Sequence, residues 1–412
     1  MEIIIINPSG TKLILLKSKH FNSFFAFIGA MRIFFITHTY SLGGSGGGEQ
    51  FVSSYLTQLR KRGHEVFVFT TASADYSAEE KALGLSVFKA KCWGHHAFHK
   101  FEYLLQRGKA VKLAREFNAD IIHAQNDAFP GLIGQHVKKK LGIPLVLAVE
   151  YLSDTAVSIN LKLVFAINKF FLPRIAFDKI VSWSTLVIDK FMLPWGISRD
   201  KIELIPGGLD LRRFKNLPNP VKTRNRFGKN LIVSIKPLHS TNAKGISYII
   251  KAMKIVSQKH PEFKYIVFGD GKAKQELESL VKELGVEKNV LFAGGVDNSA
   301  VPEIYSSADI VAHSFAFKAT TSIALIESMA AGKAIVATDS GEVSKTAQGS
   351  VKLVKPKNPG SIASGIIELI ENRALRVQLG KRARSVAEQN YSIESVASKF
   401  EKIYSKLVLR EM

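Results

Sequence analysis

Short apolar runs alternate with amphipathic stretches along this chain, and the alternation stops once and restarts. This rhythm constrains the fold more than any other feature, because an apolar run too short for a buried helix, followed by a helical period, is the βα unit of a parallel sheet. In the first half, residues 32–37, 65–71, 120–124, 143–149, 179–182 and 202–205 read as strands. Residues 49–62, 110–117 and 131–141 read as helices, the first stopped by Gly63. Residues 211–228 hold Pro218, Pro220 and a group of basic residues with little apolar content, which reads as a linker. Beyond it, 231–235, 265–268, 290–292, 310–313 and 334–337 read as strands, and 246–259, 272–284, 301–306 and 323–331 as helices. Helices over 362–371, 374–388 and 393–409 close the chain.

The expectation is an α/β chain of two Rossmann-like, doubly wound domains, residues 31–215 and 216–395, facing each other across a cleft. C-terminal helices pack back on the first domain, the last of them (396–412) returning to it. A length of 412 residues suits two domains. Helix N-termini converge at the carboxyl ends of such sheets, presenting free N–H groups and a positive dipole end to a diphosphate.

Residues 1–30 stand apart. Their apolar stretches at 3–6, 13–16 and 21–30 are broken by Lys17, Lys19 and His20, and none is long enough to span a bilayer. Residues 32–37 then open an α/β domain, so Met31 reads as the natural start and 1–30 as an upstream extension. A short interfacial anchor is the rival reading. The single cysteine, Cys92, excludes an internal disulfide framework and multi-cysteine metal sites, and points to a cytoplasmic location. The net charge of +22, from 57 Lys and Arg against 35 Asp and Glu, is spread along the chain. It would suit nucleic acid, an anionic membrane or a phosphorylated substrate, or form no more than a solvated lysine-rich surface. No basic-aromatic interleaving of the RNA-binding kind appears, so no specific nucleic acid is expected.

Gly43-Gly44-Ser45-Gly46-Gly47-Gly48-Glu49 joins a strand to a helix, where small residues let backbone N–H groups approach a ligand. It lacks the lysine of a P-loop and the G-x-G-x-x-G pattern. Followed by Arg62-Gly63-His64-Glu65-Val66, it resembles the N-terminal signature of glycosyltransferase family 4. Further matches come in the family's order. They are Ala119-Asp120-Ile121-Ile122-His123-Ala124, Phe177-Asp178-Lys179-Ile180-Val181-Ser182 and the run from Lys201 to Asp210. In the second half they are Phe268-Gly269-Asp270-Gly271, Tyr305-Ser306-Ser307-Ala308-Asp309 and Glu327-Ser328-Met329-Ala330-Ala331-Gly332-Lys333. The resemblance runs from Met31 to the C-terminus.

It implies a GT-B fold and retaining, metal-independent transfer from a UDP- or GDP-sugar to a lipid-linked or polysaccharide hydroxyl. No cofactor beyond that donor is implied. Negative charge grows on the departing diphosphate, and cationic side chains offset it. The family's basic pair falls on Lys236, at a strand end, and Lys244, placed just before a helix. Glu327, at the start of its helix, would accept hydrogen bonds from the ribose hydroxyls. Thr321, Ser322 and Ile323 would offer backbone N–H groups to the β-phosphate. Gly269 and Gly271 would permit close approach, Val296 with Gly295 would hold the base, and Gly46, Gly47 and Gly48 would line the first domain's side.

Two positions depart from the family pattern. The first glutamate of its paired motif falls on Ala319, beside Lys318, and the histidine that ends the 143–149 strand is Glu150. Ala319 motivates an alternative, a non-catalytic GT-B subunit that binds a nucleotide sugar or a partner protein. His95, His96 and His99 near Cys92 read as an acceptor-side loop and not as a metal site. Residues 161–177 intersperse Lys162, Lys169 and Arg174 with phenylalanines, the pattern of a helix that lies peripherally on an anionic membrane or is simply buried.

Overall fold

The computed structural model describes residues 2–6, 12–16, 25–27, 29–38, 47–71, 84–90, 97–149, 152, 159–315 and 322–410. The chain forms two compact units, Met1–Gly208 with Ile393–Met412, and Leu209–Ser392.

In the first unit, β1 (Glu2–Ile6), β2 (Lys12–Leu16) and β3 (Phe25–Phe27) make a small antiparallel sheet of their own. The main sheet is parallel and seven-stranded: β4 (Arg32–Ile36), β5 (Glu65–Thr71), β6 (Ser86–Ala90), β7 (Ile121–Gln125), β8 (Leu145–Val149), β9 (Lys179–Ser182) and β10 (Ile202–Leu204). Its order is β10-β9-β8-β7-β4-β5-β6. The strands are legible as near-continuous apolar runs because both faces are covered, and every residue of β7 and β8 is buried.

Helix α1 (Gly47–Lys61) begins two residues earlier than its sequence suggests, so Gly47 and Gly48 lie in its first turn and not in the loop. Helix α2 (Ala128–Leu141) is capped by Asp127, whose carboxylate accepts from Phe129 N at 3.0 Å, and stops at Gly142 in the left-handed region. Helix α3 (Ile159–Phe171) buries Asn168, which accepts from Ala128 N at 2.9 Å, and leaves Leu163 and Phe170 exposed. The helix Ala97–Leu105, which carries His99, takes in the end of a stretch that reads as loop from sequence.

The second unit holds a six-stranded parallel sheet: β11 (Leu231–Ile235), β12 (Lys264–Phe268), β13 (Val290–Gly294), β14 (Ile310–His313), β15 (Ala334–Thr338) and β16 (Lys352–Val354), in the order β13-β12-β11-β14-β15-β16. The segment expected to be a linker is part of this unit. Leu211, Phe214 and Phe227 are buried in its core, residues 211–214 form a 3-10 turn, and α4 (Val221–Phe227) is tied down by a hydrogen bond from Thr223 N to Glu303 at 3.0 Å. Leu211, Phe214, Leu217 and Phe227 fall on the core side although Val221 is exposed, so low apolar content does not mark a linker here, and the boundary lies at Gly208 instead of residue 215. Helix α5 (Ser240–Lys259) starts six residues before its sequence reading. Helices α6 (Ile323–Ala330) and α7 (Arg373–Tyr391) belong to the same unit.

Of the closing helices only the last, α8 (Ile393–Val408), belongs to the first unit. Pro359–Glu371 and α7 stay with the second, which corrects the plural expectation. Val396, Phe400, Tyr404 and Leu407 of α8 are buried among Phe51, Tyr55 and Phe35. Their spacing of three or four residues is the apolar stripe of an amphipathic helix.

Candidate active site

Each sheet reverses its strand order once, between β4 and β7 in the first unit and between β11 and β14 in the second. In a parallel α/β sheet the neighbouring crossovers diverge there and leave a crevice outside the carboxyl ends, where ligands bind.

At the second unit's switch point the chain leaves β11 at Lys236. The Lys236 side chain is buried, donates from Nζ to the Ser314 carbonyl just past β14 at 3.2 Å, and sits 3.8 Å from the centre of the Phe315 ring. It forms no ion pair among the described residues. Burial pulls its pKa down to about 8, so near neutral pH it remains mainly protonated. Behind it, burial and the Lys236 charge drive His313 down to about 3. His313 Nδ1 and Ser314 Oγ are buried without a hydrogen-bond partner among the described residues. A desolvated ammonium with an aromatic face and no counter-anion is set up to receive a negatively charged ligand.

Gly269 and Gly271 frame this lysine differently from the sequence reading. Both have positive φ, 148° and 152°, and a Cβ would lie 1.8 Å from the Lys236 carbonyl at Gly269 and 2.5 Å from the Leu238 carbonyl at Gly271. The close approach they permit is therefore to the chain's own backbone, fixed by Lys236 N donating to Phe268 O and Leu238 N to Asp270 O, both at 2.9 Å. Gly269 N also donates to Gly294 O at 2.8 Å, which brings the end of β13, Gly295 and half-buried Val296 alongside.

Lys244 lies within the N-terminal part of α5, not before it, and is exposed. The next residue, Gly245, packs against Ser314, so α5 and Lys236 share that carbonyl.

Glu327 is in the second turn of α6, not its start, and is buried. Its carboxylate has no hydrogen bond or ion pair among the described residues. Burial raises its pKa to about 7, partly offset by the charge of Arg213. Arg213 is itself oriented by Asn298, whose Oδ1 accepts from it at 3.2 Å. Ser322 occupies the N-cap position of α6 without a side-chain cap bond, and Ile323 opens the helix, leaving first-turn N–H groups free of intrahelical partners.

The first unit's switch point holds residues that the sequence alone does not single out. Thr37 Oγ1 donates to Asn126 Oδ1 at 2.6 Å, His38 Nε2 lies 3.6 Å from Asp127, and Asn126 takes a left-handed φ of 99°. The signal available is positional: they directly follow β4 and β7, the two strands at the reversal. Gly46, Glu150, Ala319 and Thr321, with Cys92, His95 and His96, lie outside the described residues. Among the described residues no group of three His, Cys, Asp or Glu is arranged to hold a metal ion.

Comparison with known proteins places these features. Residues 45–213 match the family described as Glycosyltransferase Family 4, and residues 219–386 match Glycosyl transferases group 1. The chain belongs to the family 4 type of glycosyltransferase. This glycosyltransferase is 25% identical to an uncharacterized glycosyltransferase of Methanocaldococcus jannaschii, over 84% of this chain and 90% of that protein. It is also 25% identical to the alpha-monoglucosyldiacylglycerol synthase of Streptococcus pneumoniae, over 74% and 71%. Its fold is GT-B. A glycosyltransferase from Rickettsia africae superposes with a TM-score of 0.75 at 18% identity, covering 93% of this chain and all of that one. Anabaena HepE, solved with UDP and glucose, gives 0.72 at 21% identity, covering 92% and 100%. Among its described residues, no helix of this glycosyltransferase is long and apolar enough to cross a membrane.

Proposed function

We propose that the protein transfers a sugar, with retention and without a metal, from a UDP- or GDP-sugar to a lipid-linked or polysaccharide hydroxyl at the inner face of a membrane. The observation that carries this reading is a pair of buried charges in the second unit: Lys236, an ammonium with no counter-anion among the described residues, and Glu327, a carboxylate with no hydrogen-bond donor among them. A nucleoside diphosphate answers both, since its phosphates need cations and its ribose presents two hydroxyl donors.

Lys236, with Lys244, neutralises charge that builds on the diphosphate as the glycosidic bond stretches. The N–H groups of Thr321, Ser322 and Ile323 hold the β-phosphate, and the backbone at Gly295 and Val296 holds the base. Gly269 and Gly271 keep the Lys236 backbone in place. The first unit takes the acceptor near Gly46, Gly47, Gly48 and the His38–Asp127 pair, and the exposed Leu163 and Phe170 rest at the membrane surface. HepE, solved with UDP and glucose, supports the donor class, and the Streptococcus pneumoniae relative, named a monoglucosyldiacylglycerol synthase, supports a lipid acceptor.

A non-catalytic nucleotide-sugar-binding subunit is the second reading, favoured by Ala319 where the family has glutamate. A panel of UDP- and GDP-sugars, scored for binding by thermal shift and for transfer or hydrolysis, separates the two. Turnover that falls in Lys236→Ala, Lys244→Ala and Glu327→Ala supports the enzyme. Binding without turnover supports the subunit, and no binding of any donor overturns both.

A further inference from the structure

The last helix carries a row of charge that its packing does not require. Lys399, Lys402, Lys406 and Arg410 recur at intervals of three or four residues along one side of α8 and just beyond it. At that spacing like charges are neighbours and repel. None of the four forms an ion pair among the described residues, and Lys399 is held below its ordinary pKa, first by burial and then by Lys402. The helix dipole accounts for cations in the last turn only, which leaves Lys399 and Lys402 unexplained.

These side chains line a pocket of about 310 Å³ whose opposite wall is β9 and the edge strand β10. Lys179 and Glu203, the one acid on the pocket wall, pair with each other at 3.1 Å, so the four cations of the last helix face no acid there. Leu204, Ile403 and Leu407 give the pocket an apolar part, and Leu204 is 43% exposed. α8 begins against Gly208, past the carboxyl end of β10, and runs back along the strands, so its basic second half lies toward their amino ends. The pocket therefore lies at the β10 edge of the sheet, with β9 and β8 between that edge strand and the switch point at β7 and β4, and it is independent of the donor reading.

We propose that this pocket binds a phosphate monoester whose attached group is apolar. Such a group carries about −1.5 to −2 charge at neutral pH, which several converging cations can neutralise together. The adjacent apolar wall would take the first carbons of the ester. The chemistry is shared by the headgroup end of an anionic lipid and by a soluble phosphate ester.

The test uses the full chain, calorimetric titration, and two probes: inorganic phosphate, and dihexanoyl phosphatidic acid below its micelle concentration. The unmodified protein should bind the short-chain lipid saturably, with at least tenfold loss in the double variant Lys402→Gln, Lys406→Gln. That variant should melt no lower than the parent, since neutralisation relieves repulsion in α8. Arg410→Gln, at an exposed position, should weaken binding independently. A tenfold preference for the lipid over inorganic phosphate shows that the apolar wall holds the first carbons of the ester and identifies a lipid source, whereas equal affinity for the two overturns the apolar part of the proposal. Failure of the unmodified protein to bind either probe, or undiminished binding by the variants, overturns the proposal.

Discussion

Lys236 and Gly245 meet on one backbone oxygen. The lysine ammonium donates to the Ser314 carbonyl at 3.2 Å, and a Cβ on Gly245 would stand 2.2 Å from that same oxygen. The oxygen belongs to backbone and cannot swing aside, so Gly245→Ala must move α5 away from the end of β14. The expected cost is about 1–3 kcal/mol from overpacking. UDP or GDP affinity should fall as well, because Lys244 is the next residue in the chain. Denaturant midpoints and calorimetry measure the two effects, and an unaltered midpoint would show that α5 does not bear on Ser314 this closely.

Replacing Lys236 with methionine should separate stability from function. Methionine keeps the unbranched stem against Phe315 and removes a buried cation that has no counter-ion. Stability at pH 7 should rise, by on the order of 1 kcal/mol, as buried charge is exchanged for apolar packing. Sugar transfer should fall by on the order of 10²–10³, the typical effect of deleting a group that stabilises transition-state charge. A variant that is both less stable and fully active would contradict the assignment.

The same two charges set a pH window. Glu327 titrates near 7, above its ordinary value, and Lys236 near 8, below its own. Folded protein thus holds more protons at Glu327 than unfolded chain does, so this residue lowers stability as pH rises from about 4.5 toward 7. At Lys236 the unfolded chain holds more protons, so stability recovers as pH rises from about 8 toward 10.5. Under the proposed function donor binding needs both ions, which coexist chiefly between about 7 and 8. The kcat/KM profile should be a narrow bell, with Glu327→Gln flattening the acid limb and Lys236→Met the alkaline one. Limbs that survive both substitutions would assign the titration elsewhere.

The strands are readable because a parallel sheet covered on both faces writes its register as apolar runs, and β5, β9 and β11 match their sequence bounds residue for residue. Helix starts are less readable. Gly47, Gly48 and the Ser240–Gly245 stretch carry weak helix formers, and tertiary contact with Ser314 outweighs the propensity of the latter. Residues 211–228 look like a linker because three well-placed apolar residues suffice to join a core. Lys236 and Glu327 can be marked as strand-end and helix residues, but their lack of partners cannot, since their surroundings arrive from β14 and from Arg213, about 80 and 110 residues distant in the chain. His38 and Asp127 become visible only once the strand order shows where the sheet reverses.

The last helix supplies a final prediction. Tyr404 of α8 joins three otherwise separate parts of the first unit: its hydroxyl meets the Tyr55 hydroxyl of α1 at 2.6 Å and also pairs with Nδ1 of His123 in β7. His123 Nε2 continues the chain to Gln125 at 2.8 Å. All four side chains are buried, and burial lowers His123 to about 4, so the imidazole is neutral and each remaining polar atom depends on a neighbour. Tyr404→Phe keeps the ring against Phe400 but leaves His123 Nδ1 and the Tyr55 hydroxyl unsatisfied in the interior. The cost should be about 2–6 kcal/mol, at roughly 1–3 kcal/mol for each of the two buried orphans. Arg62→Ala removes more bonds, to Glu401, Ser398 and the Glu394 carbonyl, yet the side chain is partly solvated. Water can replace those partners, so its effect should be smaller, about 1 kcal/mol. Hydrogen exchange resolves the two units separately. In Tyr404→Phe, protection should drop in α1, β4 and β7 while β11 and β14 keep theirs, and equal loss in both units would mean that α8 is not confined to the first core.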